Sequence, residues 1–546
     1  MSRSILTFLV ILAFQSAMAQ GSGAIEDKQF IIEKNRTIIL PEISRSFGKI
    51  PYSPPKREPI RLNYQLEPAA WKTEPVKMGM RMQMLKPEPL EKLYSSYLAI
   101  GAGNYASTFA EGFVSNKRNE KWQTSAHFRH LAANRGVFRY ASNSEQDISL
   151  SGSYFSKFGT WGAAINGSRQ KVGLYGYDPQ FVPTEDSSSL VYQQMRFSFS
   201  HAFAKETSPL FSSIKLSYNQ LSMNTGNKES LFHINAQLNY RITSRITTEN
   251  NLVTNLAQVG DSSMRQRNLL SFSSQILYLY GDWRLKAGVR MVYDSDTVPS
   301  NEGINLYPLL SAQYTIHERS AIAYAGISGD ISYNSLNSVR QMNPFLVNEP
   351  FLANTNETFS FLAGIKGNPV SSLSYQADLK IRRVKYLQSW TSLPISRERY
   401  FPLYDGSASN VISLSAEAAI KPAENWTASS SIAFHQYDMG SLPEAWHLPT
   451  FEFKAQTAYL YQQKLRILLA AHLLGGLKAP DFRSDSSITS IDLPFIPDIS
   501  IHVDYSFSRQ FGLFLHFNNL MSVNYQPFRY YPVRGFNLLG GLKLSF

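Results

Sequence analysis

Cysteine is absent from all 546 residues of the chain. That absence removes disulfide staples, thiol nucleophiles and cysteine-based metal sites together. Long apolar runs are missing too. After the first twenty residues no stretch of about 20 apolar residues occurs, so bilayer-crossing helices are excluded. Charged residues make up only 17% of the chain, and no basic helix or aromatic motif of the nucleic-acid-binding kind appears. Catalytic signatures are equally scarce. There is no Gly-x-Ser-x-Gly elbow and no His-Glu-x-x-His pair, and His127 and His130 are spaced to fall on opposite faces of one strand. A nucleophile with a positioned base has no visible seat, so the chain does not read as an enzyme or as the holder of a cofactor.

What remains is an aromatic, mildly polar chain, with 43% apolar residues and 34 Phe and 30 Tyr. Such a mixture suits a ribbon whose residues alternate between lipid and water, although a large soluble β-protein could share it. Its length ordinarily implies several domains, but one closed membrane sheet can absorb several hundred residues. The formal charge of +12 is scattered over turns and alternate strand positions. It reads as solvated charge or as contact with an anionic lipid or solute.

Residues 1–19 follow a different logic. Arg3 supplies a basic start, Ile5 to Phe14 form an apolar core broken by Thr7, and Ala17-Met18-Ala19 gives a small-x-small cleavage pattern. This predicts a signal peptide with Gln20 as the mature start. No cysteine follows it, so a lipid-modified N-terminus is not expected. Residues 20–96 form a Pro-rich N-terminal segment, expected in the periplasm or the barrel lumen, with Pro51, Pro54, Pro55, Pro59, Pro75, Pro87 and Pro89 favouring extended chain. Within it Met78, Met80, Met82 and Met84 share one face of a predicted strand. The plain reading is a first barrel strand or one packed on the barrel; a Cu(I) thioether site is the sharper alternative.

From residue 97 to 546 the pattern changes to strict alternation. Ile499, Ile501, Val503, Tyr505 and Phe507 lie on one face, and Ser500, His502, Asp504 and Ser506 on the other. Phe232 to Arg241 and Gly540 to Phe546 repeat the design. Nine or ten alternating residues match a tilted strand crossing the hydrocarbon layer. The predicted fold is all-β, a transmembrane antiparallel β-barrel of roughly 20–22 strands; about 21 segments follow residue 97, and the Met-rich strand would make 22, an even number.

The links between segments are unequal. Short turns fall at 116–119, 156–159, 280–282, 317–319, 367–369 and 508–510; longer ones fall near 133–144, 174–189, 333–354, 389–406, 478–492 and 521–534. Alternating short and long links mark an outer-membrane barrel with turns in the periplasm and loops outside. Both termini are then expected on the periplasmic side. Leu542, Leu544 and Phe546 share the outer face of the last strand and read as an assembly signal for the barrel-assembly machinery.

Two stretches resemble the barrel of TonB-dependent receptors. One is Asn343-Pro344-Phe345-Leu346 with Asn356-Glu357 and Gly364; the other is Asn518-Asn519-Leu520-Met521 with Asn524-Tyr525-Gln526, Gly535 and Phe546. The resemblance covers residues 97–546 and implies an outer-membrane protein of the transport class. That family carries a plug of well over a hundred residues, whereas fewer than eighty residues separate Gln20 from the first clear strand, with no plug-like Gly-rich motif. A plugless solute channel or receptor is therefore the first expectation, and a non-transporting subunit of an outer-membrane assembly the second.

Candidate lumen-facing groups are His502, Asp504, His516, Asn518, His233, Asn235 and Gln237, as ligand contacts or as members of a wall network. No metal site is expected among them. The basic cluster Lys380, Arg382, Arg383 and Lys385, with Arg397 and Arg399, could bind sugar phosphates or simply be a solvated strand end. Leu174 to Tyr177 and Tyr525 to Tyr531 could meet partner proteins or form a membrane girdle. Expected partners are outer-membrane lipid and lipopolysaccharide, the assembly machinery, and other outer-membrane or periplasmic proteins; nucleic acid is not.

Overall fold

A computed structural model describes residues 95–546, apart from 117–118, 137, 179–187, 205–210, 262–263, 297–302, 319, 394–395 and 483–487. The Met78–Met84 segment, the proline-rich stretch and the signal peptide lie outside the described residues. The first strands are β1 (Ser96–Gly103), β2 (Ser107–Ser115), β3 (Trp122–Ala133), β4 (Asn143–Ser156), β5 (Gly159–Gly173), β6 (Ser189–Phe203), β7 (Phe211–Met223) and β8 (Lys228–Arg241). They continue as β9 (Ile246–Gly260), β10 (Arg265–Tyr280), β11 (Trp283–Asp294), β12 (Gly303–His317) and β13 (Ala321–Ser332). A short helix, α1 (Leu336–Met342), precedes β14 (Thr355–Val370) and β15 (Leu373–Lys385). Then come a loop hairpin of β16 (Gln388–Ser392) and β17 (Tyr400–Tyr404), and β18 (Ala408–Ala423), β19 (Trp426–Asp438), β20 (Phe451–Tyr461) and β21 (Leu465–Gly475). A second loop hairpin, β22 (Lys478–Phe482) and β23 (Ile488–Asp492), leads to β24 (Ile496–Ser506), β25 (Phe511–Asn518) and β26 (Asn537–Ser545).

Setting the two hairpins aside, 22 strands form a single antiparallel sheet. It closes where β1 pairs with β26, from Tyr97 opposite Ser545 to Gly103 opposite Leu539. Closure leaves no row of unpaired backbone groups, which is what a sheet surrounded by hydrocarbon requires. The expected count of 22 is reached without the Met-rich segment. The extra strand was hidden because links of three or four residues, 104–106, 224–227 and 261–264, join long strands on the side where long loops were expected. Alternation runs almost unbroken through such tight turns. A second correction concerns 367–369, which is not a turn: Gly367 to Pro369 lie inside β14, and the chain reverses at 371–372. A register irregularity between Gly367 and Val370 absorbs Pro369, which cannot donate to the ladder.

The apolar side chains point outward. Met195, Phe197 and Phe199 on β6, Leu270, Phe272 and Ile276 on β10, and Leu513 and Leu515 on β25 are all exposed. In water such a surface would be strongly unfavourable, at about 25 cal/mol for each Å² left uncovered. Lipid removes that cost. Leu542, Leu544 and Phe546 join this outward face and are exposed. The register carries the inward face from strand to strand, for example His127–Ser149–Asn166–Arg196–Asn219 across β3 to β7.

The links sort by rim. Ten links, none longer than seven residues, lie at the rim that carries Phe546; the other eleven lie at the opposite rim and reach 22 residues at 333–354 and 386–407. The five remaining predicted short turns all fall at the Phe546 rim, and the six predicted longer ones all fall at the opposite rim. Helix α1 and both hairpins belong to the long-loop rim.

Candidate functional site

The long loops do not stand free. Segment 333–354 leaves β13 and returns to β14, yet Arg340 of α1 donates to Gln170 of β5 (2.8 Å) and Gln194 of β6 (2.7 Å). Those strands are eight and seven places away around the barrel. Both acceptors alternate with outward residues such as Met195 and so face the lumen. Only a path across the mouth reaches them. Tyr192 of β6 also donates its hydroxyl to the Pro344 carbonyl at 2.7 Å.

Three other links pack onto this chord. Leu174, Leu336, Val339, Leu346, Leu352, Trp390, Tyr400 and Tyr531 form one buried apolar cluster with Phe345 and Phe528 against it. Phe345 stacks on Tyr531 with ring centroids 3.5 Å apart, and Tyr175 meets Tyr531 edge-on at 4.8 Å. Their hydroxyls are spent on neighbouring loops: Tyr531 donates to the Glu398 carbonyl (2.5 Å) and Tyr400 to the Arg529 carbonyl (2.6 Å). Buried tyrosines with their hydroxyls paired combine large apolar area with satisfied polarity. Leu174 to Tyr177 and Tyr525 to Tyr531 thus supply rings to a cap over the mouth. Neither the partner-contact nor the girdle expectation describes Tyr175 and Tyr531.

A buried polar network ties the cap to the wall. Arg267 of β10 has no exposed side-chain surface; it donates to Asp296 from Nε (3.0 Å) and Nη2 (2.9 Å). The same guanidinium donates to the Asn334 carbonyl (2.8 Å) and to Asn354 Oδ1 (2.7 Å), so it grips both ends of segment 333–354. Asn354 in turn donates to both oxygens of Asp294 at 3.0 Å. Glu229 of β8 accepts from the backbone N–H of Leu336 (3.0 Å) and Asn337 (3.4 Å), satisfying the first turn of α1. Such a network is strong only when complete, because a deleted partner leaves a bare buried charge.

His447, in link 439–450, sits buried between hairpin β16–β17 and link 519–536 of the cap. Burial lowers its pKa to about 4. The neutral ring is used on both sides: Nε2 accepts from the Arg529 N–H (3.4 Å), leaving Nδ1 as donor to the Trp390 carbonyl (3.0 Å). Tyr175 is pushed up to about 12 by burial, and burial holds Tyr400 and Tyr531 higher still. All three remain hydrogen-bond donors at any physiological pH.

The sequence-derived lumen candidates divide into two groups. His502 and His516 are cross-strand partners whose rings stack with centroids 4.1 Å apart. His502 Nε2 lies 3.4 Å from Asn518 Oδ1, and Asn518 donates to Asn537 at 3.3 Å. Asp504 follows on the same face of β24. His233 stands elsewhere, on β8, with Nδ1 2.8 Å from Asn255 Oδ1. Asn235 and Gln237 continue its face, and Gln237 accepts from Ser213. Among the described residues no group of three or more His, Asp or Glu side chains is placed to hold a metal ion.

The basic cluster is split by the pleat. Lys380 and Arg382 face inward and pair with Glu357 (3.3 and 3.7 Å), whereas Arg383 and Lys385 alternate to the outer face. Arg397 is paired with Asp178 (3.1 Å), and Arg399 donates to Asn348 (2.7 Å). A single sugar-phosphate site across all six is ruled out by their opposite directions. The cap and its Arg267 network escaped the sequence reading. Their one visible trace was the Asn343-Pro344-Phe345-Leu346 motif, whose residues prove to be cap residues: Asn343 accepts from the Phe345 N–H (3.0 Å), and Leu346 is fully buried. Asn519 of the second motif likewise braces its link, donating to the Val523 and Arg534 carbonyls at 2.8 Å.

A closed, 22-stranded antiparallel barrel with an apolar exterior and long loops on one rim defines an outer-membrane β-barrel fold. Comparison with solved structures agrees. The FrpB iron transporter from Neisseria meningitidis (F3-3 variant) aligns over 84% of this chain and 82% of its own, with TM-score 0.63 and 10% identity. The siderophore receptor PirA from Pseudomonas aeruginosa aligns over 83% and 79%, with TM-score 0.55 and 13% identity. The ferric-catecholate import receptor Fiu from Escherichia coli K12 aligns over 84% and 82%, with TM-score 0.59 and 9% identity. The resemblance to TonB-dependent receptor barrels holds at the level of fold. No protein-family model matches the chain, and neither does any curated protein sequence.

Proposed function

We propose that this chain is an outer-membrane barrel of the transport class whose outer mouth is gated by its own loops. The crossing of the mouth by segment 333–354, gripped at both ends by Arg267, is the observation that carries this reading. A barrel this wide encloses a channel unless something fills it. Residues 1–19 act as the signal peptide, the rim carrying Phe546 faces the periplasm, and the capped rim faces outward. The assembly machinery recognises Leu542, Leu544 and Phe546. The solved structures of like fold are described as transporters and receptors, which supports the class; which solute passes is set by the lumen wall, with His502, Asp504, His516, Asn518 and His233 as its candidate contacts. No catalytic role or cofactor belongs to this reading.

The test is electrical. Purified full-length protein in planar bilayers should conduct little, whereas a variant with residues 336–351 replaced by a short Gly/Ser linker should conduct steadily. Should that variant assemble, as judged by heat-modifiable migration, and still not conduct, the transport reading fails. The chain would then be a closed structural subunit, whose partners gentle extraction from native membranes would recover.

A further inference from the structure

The outer face of β3 to β6 changes from apolar to polar near the capped rim. One cross-strand row reads His130, Gln146, Arg169, Gln193, Ser222 and Lys228, each paired in register with the next. The next row towards the Phe546 rim reads Phe128, Ile148, Gly167 and Met195 on β3 to β6, and continues as the polar Gln220 and Ser230 on β7 and β8. These alternate with inward residues, so both rows face away from the lumen. Between them lies a groove of about 540 Å³, lined by Phe128, Ile148, Gly167 and Met195 on the apolar side and Gln146, Arg169 and Gln193 on the polar side. Gly167 makes the recess; a Cβ there would come within 3.1 Å of Ile148.

The polar row is tuned to one sign of charge. Arg169 donates to Gln146 at 3.3 Å, and Gln146 lies 3.3 Å from His130, which orients the three as a set. Lys171 joins them one step closer to the rim on the same face. Among the described residues no ion pair uses Arg169, Lys171 or Lys228, and no carboxylate alternates onto this face of β3 to β8 in these rows. Asp147 also borders the groove, but by alternation its side chain, like those of Glu145 and Glu229, belongs to the inward face. An outward Arg costs about 2–4 kcal/mol at the middle of a bilayer and almost nothing at its interface, so this row marks the headgroup level.

We infer that this groove is a seat for a phosphorylated glycolipid: Arg169 and Lys171 take the phosphate, the Gln146 and Gln193 amides take sugar hydroxyls, and the Phe128–Ile148–Met195 surface takes the acyl chains. Guanidinium recognises phosphate through two-point, charge-assisted bonds, and amides both donate to and accept from hydroxyls. The choice of a glycolipid over a glycerophospholipid comes from the width of the amide row. Gln146 on β4 and Gln193 on β6 flank Arg169 and stand about 10 Å apart, wider than a single small headgroup spans while engaging both. The inference rests on the orientation proposed above, with the capped rim outward.

The test uses full-length protein in detergent, titrated with a bis-phosphorylated, acylated glucosamine disaccharide and read by native mass spectrometry. Dephosphorylated disaccharide lipid and phosphatidylglycerol serve as the other two probes. Arg169→Ala should weaken binding of the phosphorylated glycolipid about tenfold, the worth of one charge-assisted contact. Gly167→Leu, which fills the recess from the lipid side, should weaken it comparably, while Arg383→Ala on the distant β15 should leave it unchanged. Equal binding by both variants and the unaltered protein would overturn the site; equal binding of phosphatidylglycerol would overturn the glycolipid. Orientation is read separately: in this cysteine-free chain, Glu349→Cys should react with an impermeant maleimide on intact cells. Silence there with normal glycolipid binding in detergent would sink the orientation alone.

Discussion

Arg267 on β10 and Asn354 at the end of segment 333–354 meet at 2.7 Å, buried just inside the capped rim. The contact is a keystone. Removing the guanidinium leaves Asp296 buried without its main partner and both ends of the crossing segment unheld. Arg267→Ala should therefore destabilise the closed cap by about 3–5 kcal/mol, as broken buried ion pairs do. Hydrogen exchange in 333–354 should rise steeply while exchange in β18 to β20 stays slow. Unchanged protection across the segment would show that the apolar cluster alone holds it. Arg267→Lys, which keeps the charge but loses the fork, should fall between the two.

His447 gives the cap a pH dependence whose sign follows from its burial. The folded pKa of about 4 lies below the ordinary 6.5. An opened loop would bind a proton first, so stability rises with pH across that interval. The contribution is complete above pH 6.5, is lost as pH falls towards 4, and amounts to about 3 kcal/mol. Arg529 N–H and the Trp390 carbonyl face the ring, and the Arg529 charge further resists protonation. Proteolysis of link 439–450 between pH 7 and 4 should accelerate in the unaltered protein. In His447→Gln the rate should be nearly flat over that range, whatever its starting value.

Spin labels placed one at a time from Gln194 to Phe199, on the cysteine-free background, should report the pleat directly. Positions 195, 197 and 199 should show high oxygen accessibility in lipid, and 194, 196 and 198 low. A smooth profile without a two-residue period would remove the membrane face.

Phe546 pairs through its backbone with Ser96, at 2.9 and 3.2 Å, while its ring lies exposed on the outer face. Deleting it should lower the amount of heat-modifiable barrel in the membrane several-fold. Fold stability measured after refolding in detergent should change little, since one rim pair among 22 strands is lost. A normal assembled level would refute the assembly-signal reading.

The barrel wall was legible because alternation is local: Ile499 and His502 announce their faces without knowledge of any other strand. The rims were legible for the same reason, through link lengths. The cap was not. Arg267, Asn334 and Asn354 are unremarkable residues in sequence, and only the strand order brings them together. Tyr531 and Tyr175 read as rim aromatics because nothing local tells a ring at the lipid interface from one folded inward over a mouth. The split of Lys380 and Arg382 from Arg383 follows from the period of two, which sends neighbouring residues of one strand to opposite faces. His502 and His516 came together as register partners that spacing alone could not align.

The seam between β1 and β26 carries a consequence for biogenesis. Its two halves sit almost a whole described chain apart, and every other neighbour pair in the ring can zip as soon as both members emerge. The seam cannot. Until the last hairpin arrives, the growing ribbon presents two raw margins, each able to recruit a stranger. A polypeptide built this way needs an escort that shields both margins at once and lets go only when they find one another.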